Sequence, residues 1–153
     1  MVEQIIETWN IHNRINLYLL ESINEASLND ISASKGRTVF EQFAHIHNVR
    51  LMWINAAKPS LSEGLTKIEK GNESNKELLM QSLRQSGSAI EQLLIIGMDE
   101  GKIKGFKPHP IAFLGYLISH ESHHRGQINI TLKQAGHPVD KKTSFGLWEW
   151  GTR

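Results

Sequence analysis

Apolar positions recur along this chain with helical spacing in four separate segments, and nowhere do they alternate strictly over the length of a half-buried strand. The first segment runs from about Val2 to Ile23, with Ile5, Trp9, His12, Asn16, Leu19 and Ile23 on one stripe and Ile6, Tyr18 and Leu20 widening it. The polar stretch from Asn24 to Lys35 ends it. The second starts near Arg37 or Thr38 and reaches about Ala57, where Lys58-Pro59 stops it, because proline disfavours helical backbone in the residue before it. Its buried stripe includes Val39, Phe43, Ile46, Val49 and Trp53. Residues 60–72 form a connection long enough to be a crossover, with Leu61, Leu65 and Ile68 packing in part. The third helix begins at Ser74 or Asn75 as its cap and carries Leu79, Leu83, Ile90, Leu93, Leu94 and Ile96. Gly87 is its weak point, and Asp99-Glu100-Gly101 ends it. The fourth follows Pro108-His109-Pro110 and continues to Gln134-Ala135-Gly136, where glycine stops it. Its one face presents Phe113, Leu117, His120, His124, Gln127 and Thr131. The remaining tail, with Phe145, Leu147, Trp148 and Trp150, is apolar enough to pack back onto the helices. The expectation is an all-α fold, a single domain over residues 1–153 built as a four-helix bundle with long connections and a packed C-terminal tail.

The chemistry concentrates in His120-Glu121-Ser122-His123-His124-Arg125-Gly126-Gln127. His120 and His124 stand four residues apart, so both project from one helical face and can reach a single divalent ion. A third ligand must come from elsewhere, and three imidazoles that leave open positions make a catalytic type of site rather than a closed structural one. The second helix offers His45 or His47, which lie about 200° apart around the helix and cannot both face one ion. Periodicity does not choose: His45 aligns with Val49 and Met52, His47 with Phe43 and Ile54. His12 lies on the first apolar stripe and reads as a buried histidine bonded to a neighbour, His123 points away from the 120/124 face, and His109 and His137 read as surface residues beside prolines. Gly126 interrupts a helix at a cost of about 1 kcal/mol relative to alanine, which suggests a close helix contact there. Read literally, His120 to His124 also matches HExxH, in which the glutamate activates water, making Glu121 a candidate catalytic residue. The extended protease form fails, because Gln127 and Ile130 stand where glycine and histidine are needed, and only Asp140 and Glu149 are available as late carboxylate ligands.

With no cysteine, the chain has neither disulfides nor a thiol nucleophile, so any sulfur chemistry must use a thiol brought by the substrate. Seventeen Lys and Arg against sixteen Asp and Glu, without a basic block, argue against nucleic acid as a partner. Met1-Val2-Glu3-Gln4 opens without a signal-like region and no apolar run is long enough to span a bilayer, so no membrane association and a cytoplasmic location are expected.

Phe43-Ala44-His45-Ile46 with Trp53 eight residues on, the run His120 to Ile128, and the late Trp148 and Trp150 together resemble the DinB/YfiT-like family, over nearly the whole chain. That resemblance implies a four-helix bundle with one metal-binding histidine on the second helix and a pair on the last, and so selects His45, His120 and His124 as ligands. It implies a metal ion that binds a low-molecular-weight thiol as co-substrate, with a small-molecule substrate, in an S-transferase or related detoxification enzyme expressed under stress; three nitrogen ligands suit zinc, nickel or manganese as that ion. A metal-dependent hydrolase and a non-catalytic metal-binding helical module are the alternatives. The wide apolar face of the first helix suggests a homodimer.

Overall fold

The computed structural model describes residues 1–73 and 75–153. Five α-helices follow one another as α1 (Val2–Ser22), α2 (Val39–Ala57), α3 (Lys76–Glu100), α4 (Pro110–Gln134) and α5 (Lys141–Gly146), with short 3-10 turns at Glu25–Asn29 and Pro59–Ser62. Among the described residues there is no strand, only an isolated bridge between Ile103 and Phe106, and the fold is all-α. No helix among them is long and apolar enough to cross a membrane.

The caps explain the boundaries. Thr38 and Glu41 close a reciprocal capping box, Thr38 Oγ1 accepting from the Glu41 N–H at 3.1 Å and Glu41 Oε2 from the Thr38 N–H at 2.8 Å, so α2 starts after Thr38. Asn75 caps α3 by accepting from the Leu78 N–H at 3.0 Å; the other possible cap, Ser74, lies outside the described residues. His109, a surface residue by its setting, is the cap of α4: its Nδ1 accepts from the Ala112 N–H at 3.1 Å ahead of Pro110 in the first turn.

α1 packs on α3 and α4, and α2 packs on the other side of the same two helices. Their apolar side chains form two clusters. One includes Ile15, Leu19, Phe40, Phe43, Leu79, Leu83, Ile128 and Leu132; the other includes Ile5, Trp9, Ile54, Ile90, Leu94, Phe113 and Leu117. On each long helix a buried polar residue stands where the two sets meet, His12 on α1, Arg50 on α2, Ser86 on α3 and Glu121 and His124 on α4, while Asn16, Gln42, Ser82 and Thr131 lie alongside the first set. The core is thus divided by a polar layer.

Two expectations need correction. Gly126 is exposed, and a Cβ there would meet only open space, so it marks no close contact. The close approach is at Gly87, where a side chain would collide with Asn13 and where the carbonyl accepts the Trp9 indole N–H at 2.9 Å. The tail packs only in part: Leu147 is buried and Trp150 joins the first cluster, but Phe145 is 67% and Trp148 81% exposed. α5 has six residues and leans on α1 through Gly146 against Tyr18, and so short a helix has only one face to bury.

Candidate metal centre

α2 and α4 bring His45, His120 and His124 together, with one ring nitrogen of each lying within 4.8 Å of the others. His120 and His124 approach most closely, Nε2 to Nε2 at 3.2 Å. Two nitrogens bound to one tetrahedral zinc at about 2.0–2.1 Å lie about 3.3 Å apart, so this pair has the spacing of two ligands of one ion. His124 is oriented by Gln42, whose Oε1 accepts from Nδ1 at 2.7 Å. That bond fixes the proton on Nδ1 and leaves the Nε2 lone pair facing the cluster, which is the usual way an outer residue sets the tautomer of a metal-binding histidine. Tyr116 stacks on the His120 ring at 6.2 Å between centroids and is one wall of an aromatic group with Trp53, Phe106 and Phe113.

The rings favour the neutral, ligating form. Burial and the neighbouring charges of His120, His45, His123 and Arg37 push His124 down from its ordinary 6.5 to about 4. His45 is lowered by burial, Arg37 and His120; burial likewise lowers His120, against the pull of the Glu121 carboxylate and with the help of His123 and Arg37. His45 also lines a cavity of about 610 Å³ shared with Phe40, Ala44 and Lys67.

Glu121, one step along α4 from His120, is fully buried and turned to the inside of the molecule. Its carboxylate accepts from Arg50 Nε at 2.6 Å and Nη2 at 2.8 Å, from Asn16 Nδ2 at 2.8 Å and from His12 Nε2 at 2.7 Å. Burial alone would raise its pKa, but the charge and paired hydrogen bonds of Arg50, joined by His12, hold it well below the carboxylate range. Arg50 reaches on to the Leu83 carbonyl at 3.0 Å and the Ser86 hydroxyl at 3.3 Å, and its guanidinium lies 4.8 Å over the Trp9 ring. Arg125 donates to Asn16 Oδ1 at 2.7 Å and to the Ser122 hydroxyl at 3.0 Å. All four long helices meet in this network.

The sequence profile of the DinB family matches residues 1–150 of the 153. The chain belongs to the DinB family. No curated protein and no solved structure matches it.

Within this DinB-family fold the remaining histidines separate cleanly. His47 is buried and donates from Nε2 to the Thr66 carbonyl at 2.8 Å, so it anchors the connection after α2 and stays out of the cluster. His12 is buried and bonded to Glu121, His123 is exposed, and His137 pairs on the surface with Asp30 at 2.7 Å. Sequence reasoning missed Gln42 and Arg50. Gln42 had a usable signal, since it lies three residues before His45 on the same helix and a metal-binding histidine needs an oriented partner. For Arg50 the signal was a cation four residues from both Ile46 and Ile54, on the buried face of α2, which calls for a buried acid elsewhere.

Proposed function

We propose that this DinB-family chain is a divalent-metal-dependent enzyme, built on the family's four-helix bundle, that transfers or adds a low-molecular-weight thiol to a small electrophile. The observation that carries this reading is the convergence of three neutral imidazoles from two helices beside an open cavity, with no fourth histidine or carboxylate in the cluster among the described residues. His45, His120 and His124 would hold zinc, nickel or manganese through nitrogen, and the bound ion supplies a positive charge that favours the ionised form of a thiol or of water. The chain's own part is to keep the three rings deprotonated, to hold His124 through Gln42, and to shape a cavity of about 610 Å³, a volume suited to a small molecule. Because the chain has no cysteine, the sulfur nucleophile has to be a second substrate.

Hydrolysis of the zinc-protease kind is disfavoured by Glu121: its oxygens are occupied by Arg50, Asn16 and His12 and do not face the cluster as a water-activating base would. Metal analysis of protein purified without an affinity tag should give one divalent ion per chain, and turnover of an electrophile should require added bacillithiol or glutathione and be lost with chelator. Turnover that ignores thiol supports hydrolysis; a bound metal with no turnover in either assay supports a metal-binding module. We also propose a homodimer through the groove between α1 and α3, where Val2, Ile6 and Ile95 are flanked by Glu3, Glu7, Asn10 and Arg14. Sedimentation at twice 17.4 kDa supports it, and a 17.4 kDa species at micromolar concentration overturns it.

A further inference from the structure

The segment that leads into α2 carries a cation to the cavity beside His45. Asp30 accepts the Val39 N–H at 3.0 Å and pairs with His137 at 2.7 Å, and the Ala33 N–H donates to Gln134 at 2.9 Å, so residues 30–39 are strapped to the end of α4. Lys35 and Gly36, both with positive φ, then turn the chain just before Arg37 and the Thr38 cap. Arg37 lines the cavity that contains His45, together with Lys67, Lys70 and the carboxylates of Glu41, Glu69 and Glu73, and also a second cavity of about 300 Å³ that contains Gln42, the residue holding His124. Its charge is felt at all three rings. Among the described residues it forms no ion pair or hydrogen bond.

An exposed guanidinium lining a cavity beside a divalent ion is a like-charge arrangement that opposes binding of the ion alone. It becomes favourable when the ion's open positions are filled by a molecule that also carries an anion, because the guanidinium fork matches a carboxylate or phosphate with two parallel hydrogen bonds. We propose that Arg37 is the anchor for an anionic group on the molecule that occupies the metal's open positions, so that the site selects charged ligands over neutral ones of the same size. The proposal rests on the reading of His45, His120 and His124 as a metal site.

Cobalt(II) in place of the native ion gives visible absorption that reports thiolate binding without any turnover. Thioglycolate, which carries a carboxylate, and 2-mercaptoethanol, its neutral counterpart, are titrated into the cobalt-loaded wild type, Arg37→Ala and Arg37→Lys. Arg37→Ala should weaken thioglycolate by about tenfold, the size of one lost charge-assisted contact, while mercaptoethanol changes less than about twofold. Arg37→Lys should fall between, since it keeps the charge and loses the fork. Equal losses for both thiols, or no loss for either, would overturn the assignment. A wild-type chain that takes up no cobalt would bring down the metal reading first and this proposal with it; cobalt uptake without the thioglycolate contrast would bring down this proposal alone.

Discussion

His120 and His124 are separated from Glu121 and Arg125 by one step along α4 and about 100° around it, yet the two pairs are used in opposite ways. On the histidine side, ring nitrogens face one another and a cavity, with only Gln42 committed to holding them. On the Glu121 side the carboxylate accepts four hydrogen bonds, and Arg50 and Arg125 are spent on the same network. One side leaves lone pairs open for a ligand and the other closes them. A motif read as a single string, HExxH, therefore divides between two surfaces: the histidines serve the site, and the glutamate serves the frame.

The largest effect should come from breaking the closed side. Glu121→Gln leaves the Arg50 charge buried without its partner and should cost about 3–5 kcal/mol in stability, read from urea denaturation. A loss under 1 kcal/mol would mean that the network is dispensable. On the open side the balance reverses. His45→Ala should abolish stoichiometric metal binding with little change in stability of the metal-free chain, while His47→Ala and His123→Ala keep the metal. Equal metal loss at His45 and His47 would contradict the division described above.

Acid should weaken the metal-free fold before it reaches Glu121. The folded chain holds His45, His120 and His124 below their ordinary value, His124 at about 4, so between pH 6.5 and 4 the unfolded chain binds more protons. Stability should be fully present above about pH 6.5 and decline as pH falls through that window, with the Glu121 contribution lost only below about 4.5. His124→Gln should flatten the upper part of the decline. The smallest effect is expected at Gly126→Ala, which fills open space on an exposed helical position and should stabilise by about 0.5–1 kcal/mol, whereas Gly87→Ala should destabilise through Asn13.

What could be read from the chain was what repeats locally. The stripe Ile5, Trp9, His12, Asn16, Leu19 and Ile23 is buried throughout, and the ends of α2, α3 and α4 follow from Thr38, Gly101 and Pro110. The pairing of His120 with His124 is equally local, but the choice of His45 over His47 needed the family resemblance, because both lie on defensible faces. The Glu121 network was hidden for a different reason: its partners His12 and Asn16 lie 109 and 105 residues away, and no spacing rule links them. Gly126 misled because helix propensity records a cost without saying what, if anything, occupies the space beside it. The exposed Trp148 shows the converse, that a large apolar side chain does not guarantee a partner.

The polar layer across the core also sets an order of assembly. Glu121, Arg50, His12, Asn16 and Arg125 join the helices with protein groups alone, so the backbone positions of His45, His120 and His124 are fixed without help from an ion. A zinc finger draws its folding energy from the metal and unfolds when it is removed. Here the chain can fold first and load afterwards, and an ion can be withdrawn and replaced on a scaffold that keeps its shape. An ion held by the three histidines would then be chosen by supply and exchange after folding rather than by what was present while the chain was folding.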